Sequence, residues 1–184
     1  RETFNPGRRD LDWRRGLGLA DDDVVIGFLG RLVMEKGLDV FSDTIDELNR
    51  RGVPHKVLVV GEGPARDWFE ARLPGAVFAG FQGGADLGRA GACMDGLFNP
   101  SIPETFGNGT LEAMACGTLV VASDTAPVRE VVQDGVNGFL CDFWDHEKMA
   151  QKLADVLARA PQLGQVRRNA RQTVLRSYDA DVQT

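Results

Sequence analysis

Histidine is scarce in this sequence, with His55 and His146 the only two among 184 residues. A zinc centre or a histidine-based triad therefore has little to be built from. Cysteine is nearly as rare: Cys93, Cys116 and Cys141 are far apart, odd in number and set among apolar or small residues. That pattern excludes a disulfide framework and shows no metal-ligand spacing, so inert thiols, buried or half-buried, are expected. No run is long and apolar enough to cross a membrane, and no signal peptide is legible. Basic charge is short as well, with 21 Lys and Arg against 27 Asp and Glu and a net charge of −6. A broad nucleic-acid surface is excluded, because neutralising phosphates takes clustered cations. A local anion site is not, since it needs only one or two cations and some backbone N–H groups.

What is present is the balance of a cored globular protein, 43% hydrophobic and 26% charged. The length suits a single domain over 1–184, with residues 145–184 as a helical tail packed on it. The chain opens at "RETFNPG" without a methionine and reads as a piece of a longer protein.

Short apolar runs at 24–30, 56–63, 76–80, 94–101 and 118–123 read as buried strands, with a last short one in 134–141. Between them the pattern predicts helices at 37–52, 64–72, 85–93, 108–116 and 126–133. Residues 145–177 read as amphipathic helix interrupted near Pro161, with Arg167, Arg168 and Arg171 as solvated charge. Alternating strands and helices predict an α/β, Rossmann-like parallel sheet with helices on both faces. Such sheets bind ligands at the carboxyl ends of their strands, where the strand order switches.

The chemistry-bearing residues cluster at those strand ends. In "GRLVMEKG" (30–37), Arg31 follows a strand and Lys36 opens the next helix, so two cations can converge on one point. A lysine at a helix N-terminus is out of place unless an anion compensates it. In "PSIPETFGNGTLEAMACG" (100–117), Glu104 and Glu112 bracket a glycine-rich entry to an alanine-rich helix. The unpaired N–H groups of such an entry suit an anion, and Gly107, Asn108 and Gly109 permit close approach. Carboxylates beside it suit hydroxyls rather than phosphate. A ligand carrying both phosphates and hydroxyls is therefore expected. "GEGP" (61–64) offers G-x-G, but Arg66 stands where a dinucleotide fingerprint needs glycine. It reads as a tight strand-to-helix turn.

In this order, "GRLVMEKGLDV", "VLVVGEGP", "VFAGF", "PSIPETFGNGTLEAMACGTLVVAS" and "DGVNGFL" resemble the C-terminal, donor-binding domain of a retaining group 1 (family 4) glycosyltransferase. The resemblance covers roughly residues 15 to 160. It implies one half of a GT-B fold, a UDP- or GDP-linked sugar as donor, no cofactor, no metal, and transfer with retention. Arg31 and Lys36 would bind the donor diphosphate and stabilise the departing charge, and Glu104 would contact the transferred sugar. Glu112 would hold the ribose hydroxyls. Phe106, Gly107, Asn108, Gly109 and Thr110 would contact sugar and phosphate. Gly30, Gly61 and Gly63 would shape the edge, and Phe81 would line the base pocket. Thr118 stands where the family has proline after "ACG".

The resemblance also implies a missing N-terminal acceptor domain, with any membrane contact made through it. Localisation is expected to be cytoplasmic, peripheral to the inner membrane face in the full-length protein, and the fragment inactive alone. Two other readings stay open: a sugar-nucleotide-binding module without turnover, and a UDP-sugar 2-epimerase. A phosphorylase is disfavoured because Lys148 and Lys152 lie on the tail, away from the strand ends.

Overall fold

The computed structural model describes residues 11–82, 90, 91, 93–100, 108–142 and 145–183. Six parallel strands, β1 (Val25–Leu29), β2 (Lys56–Val60), β3 (Val77–Gly80), β4 (Gly96–Asn99), β5 (Leu119–Ser123) and β6 (Phe139–Cys141), form one sheet in the order β3-β2-β1-β4-β5-β6. The helices whose bounds lie among the described residues are α1 (Leu11–Gly16), α2 (Leu38–Arg50), α3 (Arg66–Arg72), α4 (Asn108–Ala115), α5 (Ala126–Arg129), α6 (His146–Arg159) and α7 (Gly164–Gln183). Short 3-10 turns occupy Met34–Lys36 and Ala160–Gln162.

The strands are apolar apart from Lys56, Asn99 and Ser123 at their ends, because both faces are covered. Ile26, Phe28, Val57 and Val59 face Phe41, Ile45 and Leu48 of α2 and Met149, Leu153 and Val156 of α6. Val25, Leu58, Val60, Leu97 and Val120 face the other way, onto Met114 of α4 and Val174 of α7. Phe28, Phe41 and Phe69 meet edge-to-face with centroids 5.5–5.6 Å apart, locking β1, α2 and α3 together. Each such ring contributes about 1.5–3 kcal/mol by burial.

Two expectations are corrected. The helix expected over 126–133 ends at Arg129. The Asn137 side chain takes up backbone groups that a longer helix would need, accepting from Gln133 N at 2.8 Å and donating to Val131 O at 2.9 Å. The charge of the tail is also not simply solvated. Arg167 Nη1 donates to Gly117 O at 3.2 Å and Arg171 Nη1 to Ala115 O at 3.3 Å, so α7 caps the C-terminal end of α4. Helix α1 was not expected; buried Arg14 ties it down by donating from Nη2 to the carbonyls of Ala20 and Asp23, both at 2.8 Å. Of the helix expected over 85–93, residues 90 and 91 are helical and the rest lie outside the described residues, save Cys93 in the turn that follows.

Candidate functional site

The strand order reverses between β1 and β4, the place where sheets of this kind open a crevice. Gly30 and Arg31 leave β1 there. Leu32, fully buried, pins the loop down: its N–H donates to Glu62 O at 3.0 Å and its carbonyl accepts from Ala65 N at 2.9 Å. Arg31, between Gly30 and that anchor, is left exposed.

The chain then makes its 3-10 turn, and Lys36 closes that turn rather than opening α2. Gly37 is the N-cap of α2, in the left-handed region at φ 77°. It fits because a Cβ there would stand 2.8 Å from the carbonyl oxygen of Pro100, the residue after β4. This contact brings the Lys36 backbone beside the β4 exit. Among the described residues neither Arg31 nor Lys36 has an ion-pair partner, and no pair joins Lys36 to Glu35. Arg15, Arg50, Arg51, Arg66, Arg72 and Arg129 each hold a carboxylate. Two cations at one switch point are thus without a counter-charge among the described residues.

The β2 and β3 exits are built on glycine. Gly30 N donates to Val60 O at 3.0 Å and Gly61 N to Gly80 O at 2.9 Å, so the hydrogen-bond ladder runs on past the strand ends. Gly63 lies under Leu32, where a Cβ would approach Leu32 O to 2.4 Å. Beyond Gly80, Phe81 is 78% exposed, the most exposed large apolar side chain among those described. The pair Glu62–Arg66 lies against Gly80, and Arg66 also holds Glu70 at 2.7 Å. The Glu70 hydrogen bond is the main cause that raises the Arg66 pKa.

Asn108, Gly109 and Thr110 form the first turn of α4, and Glu112 begins its second. Glu104, Phe106 and Gly107 lie outside the described residues. The rest of α4 is buried against the sheet at Ala113, Met114 and Ala115, and the helix follows β4, so its N-terminal end lies on the side of the strand exits. The structure therefore brings Gly30, Arg31, Lys36, Gly61, Gly63 and Phe81 to one edge.

All three cysteines are buried, and burial pushes the Cys141 thiol up to about 12. No group of three or more His, Cys, Asp or Glu among the described residues is placed to hold a metal. No described helix is long and apolar enough to cross a membrane. Lys152, on α6, is held by Asp134 and lies over the Phe139 ring, at the far strand of the sheet from β3.

Strand order and site together define a doubly wound α/β domain whose ligand edge lies between β1 and β4. Comparison with known proteins then gives the family. The chain belongs to the glycosyl transferases group 1, whose family model matches residues 23–159. It is similar to a D-inositol 3-phosphate glycosyltransferase of Stackebrandtia nassauensis, at 35% identity over 87% of this chain and 39% of that protein. It is also similar to a GDP-mannose-dependent alpha-mannosyltransferase of Corynebacterium glutamicum, at 29% identity over 84% of this chain and 36% of that one.

Among solved structures, HepE of Anabaena, in complex with UDP and glucose, superposes with a TM-score of 0.76 at 26% identity. That match covers 93% of this chain and 50% of HepE. The C-terminal domain of the group 1 protein LpcC of Francisella tularensis shares the fold, with a TM-score of 0.79 over 96% of both chains at 23% identity. The chain spans between a third and two fifths of these two curated relatives, as one half of a GT-B fold.

Proposed function

We propose that this chain is the donor-binding half of a retaining glycosyltransferase and holds a nucleotide-diphospho-sugar at the β1/β4 switch point. The observation that carries the reading is the pair of cations without carboxylate partners among the described residues, Arg31 and Lys36, at the edge where α4 starts. A diphosphate supplies the negative charge that complements both cations. The Corynebacterium relative is GDP-mannose-dependent and HepE was crystallised with UDP, which supports a nucleotide sugar and leaves the base open.

In this reading the diphosphate lies between the Arg31–Lys36 loop and the first turn of α4. Transfer breaks the bond between the sugar C1 and a phosphate oxygen, whose electron pair leaves with the diphosphate. An acceptor hydroxyl oxygen forms the new bond to C1, and its proton passes to the departing phosphate oxygen. Arg31 and Lys36 stabilise the charge that develops there, the task a divalent cation performs in other sites. The N-terminal end of α4 adds the equivalent of about half a positive charge. Glu112 accepts the ribose hydroxyls, Glu104 meets the sugar, and Asn108, Gly109 and Thr110 supply backbone contacts with Phe106 and Gly107. The acceptor is bound by the other half of the full-length enzyme.

The test is calorimetric titration of the chain with UDP, GDP and ADP in the presence of a chelator. One nucleotide should bind, and Lys36→Ala and Glu112→Ala should each weaken it. Binding that requires added metal, or that ignores both substitutions, sinks the assignment. Activity of the full-length protein then separates an enzyme from a binding module without turnover.

A further inference from the structure

The carboxylate of Glu62 and the guanidinium of Arg66 stand at the edge of the sheet, and the folding core does not need them there. Glu62 is 47% exposed and Arg66 34%, yet their place is fixed. Arg66 is held on its far side by Glu70 at 2.7 Å and lies over the Phe78 ring at 5.8 Å from its centroid. Glu62 Oε1 comes so close to Gly80 that a Cβ there would stand 3.1 Å from it. Gly80 leads directly to Phe81, the most exposed large apolar side chain among those described. An acceptor and a donor fork thus stand beside Gly80, one residue before an exposed aromatic ring.

The location matches one part of the ligand proposed above, and the inference rests on that reading. With the diphosphate at β1 and β4, the nucleoside extends along the edge toward β3 or toward β6. Toward β6 the edge carries Asp124, which is already paired with Arg129. Toward β3 it runs past the Gly61 and Gly63 turn, which packs against the backbone of Gly30 and Leu32, and it ends on the exposed ring of Phe81. Two strand spacings, about 10 Å, separate β1 from β3, a reach that one ribose and its base cover. The base therefore falls at Glu62, Arg66 and Phe81.

We infer that Glu62 and Arg66 read this base, and that it is guanine. An ionised carboxylate only accepts hydrogen bonds and a guanidinium only donates them. Guanine presents N1–H and the N2 amino group side by side as donors, with O6 next to them as acceptor. Glu62 takes the two donors and Arg66 reaches O6. Uracil offers a single N3–H between two carbonyl oxygens, one of which would face the carboxylate. Adenine would turn its unprotonated N1 toward Glu62. Gln82 does not compete for the base, because its Nε2 donates to Ala79 O at 2.6 Å.

The experiment is a calorimetric panel on the 184-residue chain with GDP, inosine diphosphate, UDP, ADP and inorganic pyrophosphate, repeated on Glu62→Gln. Inosine lacks only the 2-amino group. GDP should bind most tightly, and about tenfold more tightly than inosine diphosphate, the value of one hydrogen bond to a charged group. In Glu62→Gln the GDP affinity should fall about tenfold, the preference over inosine diphosphate should vanish, and pyrophosphate binding should stay as it was. UDP or ADP binding as tightly as GDP overturns the inference, and so does a preference for GDP over inosine diphosphate that survives the substitution. Either result leaves the donor-site reading standing. If no nucleotide binds, or if Lys36→Ala leaves GDP binding unchanged, the donor-site reading itself fails.

Discussion

A Cβ on Gly61 would sit 1.8 Å from the carbonyl oxygen of Gly30. The two exits from β1 and β2 therefore touch backbone to backbone, and Gly61 holds φ at 145° to do so. This contact keeps the Arg31 loop and the Glu62 turn side by side. Gly61→Ala should cost about 3 kcal/mol, since rigid backbone rather than a flexible side chain must move. Gly75→Ala, also at positive φ but with nothing within 4 Å, should cost only about 1 kcal/mol. Urea denaturation of both variants checks the contrast, and equal losses would show that φ alone matters at Gly61.

Arg31 and Lys36 have no carboxylate partner among the described residues, so removing them should cost the fold almost nothing. Surface charges of this kind contribute less than about 1 kcal/mol. Diphosphate binding should respond much more, by about tenfold or more for each Ala substitution, because hydrogen bonds to charged groups are worth about 1.5–3 kcal/mol. Thermal melts beside nucleotide titrations separate the two effects. A variant that lost stability and affinity together would point to a structural role.

The C-terminal end of α4 depends on α7 through Arg167 to Gly117 O and Arg171 to Ala115 O. Arg171→Ala should lower stability by about 1 kcal/mol, one hydrogen bond to a partly buried carbonyl. Arg168→Ala, whose Nη2 meets the side chain of Gln165, is the matched control and should stay within about 0.5 kcal/mol of the parent. Chemical denaturation of the pair measures the difference, and equal stabilities would remove α7 from the support of α4.

Cys141 gives the pH prediction. Burial raises its pKa from the ordinary 9.0 to about 12, so the folded state favours the neutral thiol. Protons are then bound more tightly in the folded chain than in the unfolded one. The resulting contribution to stability is fully present below pH 9 and is lost as pH rises from there towards 12. An aromatic disulfide reagent at pH 8 should leave Cys141 unmodified in the native chain and modify it in denaturant. Rapid native modification, located by mass spectrometry, would contradict the burial.

How far the sequence alone reaches differs from element to element. Runs such as "KVLVV" and "LVVAS" are legible as buried strands without any partner, because a strand covered on both faces must be apolar at nearly every position. Helix α2 shows its buried face through Phe41, Ile45 and Leu48. The ordered set of motifs identified the family, and the two cations stood out because a lysine near a helix start has no local justification. These are properties of spacing and charge within a few residues, which is why the linear chain displays them.

Other features needed distant partners. Helix α5 stops at Arg129 because Asn137, eight residues further along, claims the next backbone groups. Arg167 and Arg171 read as solvated charge until the fold put α7 against the last carbonyls of α4. Glu62 and Arg66 carried no signal as a recognition pair, since an acid and a base four residues apart are ordinary on any helix. Only parallel pairing of β2 with β3 set them beside Gly80, the residue before Phe81. The sequence determined the sheet, the family and the charges available. The tertiary structure decided which of those charges were already neutralised and which were left facing the edge, because ion pairing depends on distance in space and not along the chain.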